Sequence, residues 1–260
     1  MIDVAAFPPN YFGNFFLVFV RVGAMLFSAP LINGRTVPAI AKIGLGLLIT
    51  MLLLPVNGSQ LVDVPFEWLP LSLLTLKELG VGVLVGFMAN LVFAAMQLAG
   101  QFVGIETGFS VANVLDPLFS QSVSVIDQVY TVLAGFIFLA VDGHHMLILA
   151  VQQTLDVVPV GMFQLTEPMM NQLIGLTGGV FVAGLRLILP ILTSLLLADI
   201  ALGLVSRTVP QMNVFIVGMP LKLFAGFFLL IFTLPSVDAL TASMVQSTFV
   251  DLQTVLRMSA

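Results

Sequence analysis

No cysteine occurs anywhere in the chain. Disulfides, thiolate metal sites and thiol catalysis are therefore excluded. Charge is nearly as scarce: Asp, Glu, Lys and Arg make up 8% of the residues, where a soluble domain carries about 25%. The bases form no run, so nothing offers the electrostatic footprint that a nucleic acid needs. HExxH, a Ser/His/Asp set and a phosphate-cradling glycine loop are all missing. The sequence offers no enzyme, and no cofactor or metal is expected.

Apolar residues are what the chain has in abundance, at 59% with a mean hydropathy of +1.15. Such a composition cannot cover a water-exposed globule and marks an integral membrane protein. The first residues, MIDVAAFPPNYFG, carry Asp3 and no base. A cleavable signal needs a positive start, so the first apolar run is expected to be retained. Apolar runs fall at about 11–31, 39–56, 68–98, 123–155, 171–205 and 212–234. A helix crossing the hydrocarbon needs roughly 20 residues, and a lone strand cannot satisfy its backbone in lipid. The expectation is one all-α membrane domain of about six long apolar helices arranged as helical hairpins. After Pro235, the positions Val237, Leu240, Met244, Phe249, Leu252 and Leu256 approximate one stripe. They predict a C-terminal amphipathic helix.

Orientation follows the bases. Arg35 and Lys42 flank the first connector and Arg207 lies in the fifth, while Asp63, Glu67, Asp156 and Glu167 are the charges of the second and fourth. The positive-inside rule puts the first and fifth connectors in the cytoplasm and the N-terminus outside. The hairpin of Arg207, Pro210 and Gln211 is then cytoplasmic. RTVP occurs at both Arg35–Pro38 and Arg207–Pro210, which reads as shared hairpin chemistry. Runs three to five exceed 30 residues, over ~45 Å of helix against ~30 Å of hydrocarbon. They imply a structure taller than the bilayer. Charges also sit inside the runs: Arg21, Lys77, Glu78, Asp127, Asp142, Arg186, Asp199 and Lys222. Each costs at least about 3 kcal/mol if left alone at mid-bilayer, so each should face protein or a wet cavity. Lys77 and Glu78, being adjacent, need separate partners.

Gly82 with Gly86, the ladder Gly100, Gly104, Gly108, and the series Gly175, Gly179, Ala183 place small residues four apart, a spacing that favours close helix packing. His144 and His145 follow Asp142-Gly143. Adjacent histidines on a helix point apart and no third ligand is near, so a polar helix-start turn is the expectation rather than a metal site. The stretch AGQFVGIETGFSVANVLDP (99–117) is unusual for a connector. It has glycines early, acids only at Glu106 and Asp116, mostly apolar residues late and no base.

Four stretches resemble the FliR family of flagellar export-gate proteins and their virulence type III secretion relatives. They are RVGAMLFSAPLINGRTVPAIAKIGLGLLI (21–49), KELGVGVLVGFMANLVFAAMQLAGQFVGIETGFSVANVLDP (77–117), DGHHMLILAVQQTLDVVPVG (142–161) and ALGLVSRTVPQMNVFIVGMPLKL (201–223). Asp142 departs from the neutral amide that relatives often carry. The resemblance implies a core subunit of the flagellar type III export gate, in the bacterial inner membrane within the basal body. Residues 1–165 would be FliP-like and 166–260 a FliQ-like hairpin part. Partners would be FliP-like and FliQ-like subunits, an FlhB-like subunit and unfolded export substrates. Arg21, Lys77, Glu78, Asp142, Arg186, Asp199 and Lys222 would be buried charges that pair between subunits. The 104–117 connector would plug the pore through Gly104, Glu106, Gly108, Phe109, Val111, Val114, Leu115, Asp116 and Pro117. A secondary transporter with a midplane charged site and a scaffold without a pore are the competing readings. Co-purification with two other small membrane proteins separates a gate subunit from a transporter.

Overall fold

The computed structural model describes residues 10–32, 37–56, 62–65, 67–108, 125–209, 211 and 213–259. Among the described residues it is helical, without strands. The helices are α1 (Tyr11–Ser28), α2 (Ala39–Val56), α3 (Trp68–Glu106), α4 (Val125–Ala140), α5 (Gly143–Val157), α6 (Glu167–Thr208) and α7 (Val214–Arg257). Four of them are long and apolar enough to cross a membrane, or five spans if the bent pair α4–α5 counts as one; α2 is a shorter apolar helix. The three longest have 39, 42 and 44 residues. At 1.5 Å per residue their contours are about 60 Å, twice the hydrocarbon thickness.

Local chemistry explains most boundaries. Residue Ala29 turns extended (ψ 141°) because Pro30 follows it, and its N–H still closes on the Met25 carbonyl, ending α1. The run 123–155 is not one helix. It breaks after Val141 with a 67° bend, at Asp142, which takes the left-handed conformation (φ 57°) one residue before Gly143. A short polar side chain tolerates that region better than a bulky one. The break expected at Pro235 does not occur, because α7 runs continuously through Pro220 and Pro235. Each proline removes one helical hydrogen bond, a loss that apolar helices absorb where neighbouring groups or local adjustments re-satisfy the carbonyl. The amphipathic stripe is therefore the last part of α7. Its buried positions are Val237, Thr241, Val245, Leu252, Val255 and Leu256, while Leu240, assigned to the stripe from sequence, is exposed.

The chain divides into two compact units, one of residues 1–91, 142–176 and 245–260, the other of 92–141 and 177–244. Helices α3, α6 and α7 contribute to both. In the first unit the core joins Leu17, Val22 and Met25 of α1, Val81, Val85 and Met88 of α3, and Val151 and Leu155 of α5. Gly82 and Gly86 let α3 lie against the α1 backbone. A Cβ on Gly82 would overlap the Arg21 carbonyl oxygen and stand 2.6 Å from Ala24 Cβ, and one on Gly86 would overlap Ser28. Asn90, one turn on, donates from its side chain to the Ser28 and Gly86 carbonyls. The core of the second unit joins Met96 and Val103 of α3, Tyr130 and Phe138 of α4, and Leu187, Ile188, Ile191 and Leu195 of α6. Here a Cβ on Gly100 would stand 2.6 Å from Asp127 Cα, so this glycine too marks a close helix crossing.

Candidate functional site

The deepest polar cluster lies in the first unit. Both Arg21 and Glu78 are wholly buried, with Arg21 Nε 2.6 Å from Glu78 Oε2. Both terminal nitrogens of the guanidinium also have acceptors. Nη1 donates to Thr154 Oγ1 (3.1 Å), and both Nη1 and Nη2 donate to the Val158 carbonyl (3.1 Å each). The second Glu78 oxygen accepts the Gly161 N–H at 2.8 Å. Gly161 has φ +80°, a conformation that glycine takes at little cost, and its carbonyl accepts Lys77 Nζ at 3.0 Å. Lys77 and Glu78 thus have separate partners, and both reach the same turn. The sequence reading sought partners for Arg21, Lys77 and Glu78 in other subunits. The structure supplies them within the chain, and Lys77 is half-buried. Thr154 and the Val158 carbonyl were missed as members. The only trace of them in the sequence was the Pro159-x-Gly161 turn.

The second cluster lies in the second unit, at the end of α3. Lys222 Nζ is 2.8 Å from Asp199 Oδ2 and 3.3 Å from Glu106 Oε1. The two acids and the base carry a net charge of −1 in otherwise apolar helices. A cavity of about 360 Å³ opens beside them, lined also by Ile105, Thr107, Gly108, Leu202 and Met219. Helix α3 ends here: Gly108 takes φ +85° and its N–H bonds the Ile105 carbonyl, the left-handed ending that glycine favours. Glu106 is therefore tied to α6 and α7 at the point where the connector begins. Of the expected plug residues, Gly104, Glu106 and Gly108 are described. Phe109, Val111, Val114, Leu115, Asp116 and Pro117 lie outside the described residues.

The remaining embedded charges are differently placed. Asp142 and Arg186, expected to pair between subunits, are both exposed on the chain. The Asp142 carboxylate stands 3.5 Å from His145 Nδ1 at the surface, and the donor atoms of Asp142, His144 and His145 fall within 4.8 Å of one another. The two imidazoles do not point apart as adjacency suggested. Their centroids are 4.5 Å apart at the exposed first turn of α5, where Asp142 attracts His145. On α4, Asp127 Oδ1 and the Tyr130 hydroxyl are buried without a hydrogen-bond partner among the described residues.

Arg207 and Gln211 are exposed at the α6–α7 hairpin, and Pro210 lies outside the described residues. A lone cysteine at Gln211, in a chain with none of its own, tests the orientation. It is expected to react with an impermeant thiol reagent in inverted vesicles. Labelling from the outer face would reverse the topology.

Long apolar helices whose embedded charges are largely paired inside the protein define this chain as an α-helical membrane protein. Residues 12–248 match the family described as "Bacterial export proteins, family 1". The chain is 34% identical over 229 residues to the flagellar biosynthetic protein FliR of Pectobacterium carotovorum subsp. carotovorum, covering 87% of this chain and 86% of that protein. It is 33% identical to FliR of Escherichia coli K12 (87% and 86% covered) and 32% identical to FliR of Bacillus subtilis 168 (85% and 86%). The chain belongs to the FliR family of bacterial export proteins.

Proposed function

We propose that the chain is a non-enzymatic core subunit of the flagellar type III export gate, in the bacterial inner membrane. It would assemble there with FliP-like, FliQ-like and FlhB-like subunits and line part of the path of unfolded export substrates. Family membership supports the export role. The observation that carries the pore reading is the ion cluster at the foot of the connector, where Lys222 holds Glu106 at 3.3 Å and Asp199 at 2.8 Å. A seal must be anchored at its base yet deformable beyond it. The connector from Gly104 to Pro117 supplies the anchor in an ion-paired acid and a glycine with positive φ, and its sequence continues with mostly apolar residues that water wets poorly. No bond is made or broken in this role.

Deleting Val111 to Leu115 is expected to leave a complex that assembles but passes small ions or dye, measured against wild type at equal membrane abundance. Motility should fall less steeply than membrane integrity. A deletion that assembles, exports and keeps the membrane tight would exclude the plug. A deletion that yields no complex would instead make the segment a packing element.

A further inference from the structure

We propose that the outward face of α6 around Arg186 seats an apolar helix of a partner chain, and that a carboxylate on that helix pairs with Arg186. The proposal rests on the gate reading above and names the chemistry of one of its contacts. Arg186 is exposed at the middle of a 42-residue apolar helix. Among the described residues it has no ion-pair or hydrogen-bond partner; of the two acids of its helix, Glu167 opens the first turn and Asp199 is bound to Lys222. Its main chain also lacks the usual helical donor. Pro190, four residues on, lies inside the helix and has no N–H to give the Arg186 carbonyl. One position therefore presents a guanidinium seeking acceptors and a carbonyl seeking a donor, both on an apolar face. Lipid tails supply neither.

The surface around it has the form of a helix seam. Gly179, Val182, Arg186, Leu189, Thr193 and Leu197 recur every three or four residues, and all are exposed. The opposite face, with Gly184, Leu187, Ile188, Ile191 and Leu195, is buried against its own unit. Among the described residues a Cβ on Gly178 or Gly179 would meet nothing within 4 Å. Among the described residues these glycines therefore serve no contact, unlike Gly82, Gly86 and Gly100. A second helix could approach closely there and bring its acid to Arg186, two turns or about 10 Å further along. The partner helix should then show a small residue and an Asp or Glu about seven residues apart. An apolar helix without an acid would leave the arginine desolvated and alone.

The test is co-expression of the full chain with the FliP-like and FliQ-like subunits, extraction in mild detergent, and complex yield per chain in the membrane. Arg186 lies on the surface, so Arg186→Leu should leave chain abundance unchanged and lower complex yield about tenfold or more. Arg186→Lys should keep most of it. Arg186→Glu should abolish it, and an acid-to-lysine exchange in the partner helix should restore it. A cysteine at Val182 should cross-link to that helix. Wild-type yield from Arg186→Leu would overturn the proposal. So would a loss of chain abundance in Arg186→Leu that Arg186→Lys repairs while assembly stays normal, since that pattern marks a lipid phosphate. A Val182 cross-link joining two copies of this chain would also overturn it. If the wild-type chain forms no complex, the gate reading and this proposal fall together. If wild type assembles and Arg186→Leu does too, only this proposal falls.

Discussion

Replacing Glu78 with leucine is expected to destabilise the first unit by about 3–5 kcal/mol, the range for breaking a buried pair by removing one partner. Arg21 would remain wholly buried with its Nε unmatched and no charge to balance it, and the Gly161 N–H would lose its acceptor. The measurement is thermal unfolding in detergent, with accumulation in the membrane as a second reading. Arg21→Met should fail comparably, because it leaves a bare carboxylate. The double variant Arg21→Met/Glu78→Leu should be much more stable than either single one, since two apolar side chains of similar volume can replace the pair. A Glu78→Leu protein as stable as wild type would show that the pair contributes nothing. A double variant no better than the singles would show that the turn at Gly161, rather than the charge balance, sets the stability.

Gly82→Ala is expected to destabilise by about 1–3 kcal/mol, the usual range for overpacking, and Gly82→Leu by more. The obstruction is main chain: the Arg21 carbonyl oxygen lies where the new Cβ must go, and it cannot swing aside as a side-chain tip can. Gly179→Ala is the matched control. Among the described residues nothing lies within 4 Å of its Cβ position, and alanine is the better helix former by about 1 kcal/mol, so the chain on its own should hold or gain stability. Equal effects of the two alanines on unfolding temperature would refute the assignment of Gly82 to a close crossing.

Much of this was legible in the sequence, and the reasons are physical. Apolar run lengths locate helices because lipid permits few alternatives. The four-residue spacing of Gly82 and Gly86 pointed to a close helix contact, because only a missing Cβ lets backbones touch, but not to α1 as the partner. Adjacency alone showed that Lys77 and Glu78 need separate partners. Distance along the chain hid the rest. Arg21 finds Glu78 57 residues on and the Val158 carbonyl 137 residues on, and no periodicity encodes such a meeting. Asp199 and Lys222 were named singly, but nothing local ties them to Glu106. Pro235 misled because a helix-breaking rule drawn from water overstates what a proline does in an apolar helix. Asp142 and Arg186 were assigned to pairing between subunits because charge in an apolar run implies burial somewhere, and the chain by itself leaves both exposed.

The spread of the Arg21 cluster along the chain also sets a timetable. At about 5–20 residues per second of synthesis, Glu78 emerges roughly 3–11 seconds after Arg21, and Val158 roughly 7–27 seconds after it. For that interval the first hairpin must carry a full positive charge whose counter-ion has not yet been made. The nascent α1 is therefore expected to wait near the headgroups or in the insertion machinery until α3 arrives. Truncating the chain before Glu78 should arrest it in that waiting state, so the early hairpin owes its place in the bilayer to helices synthesised after it.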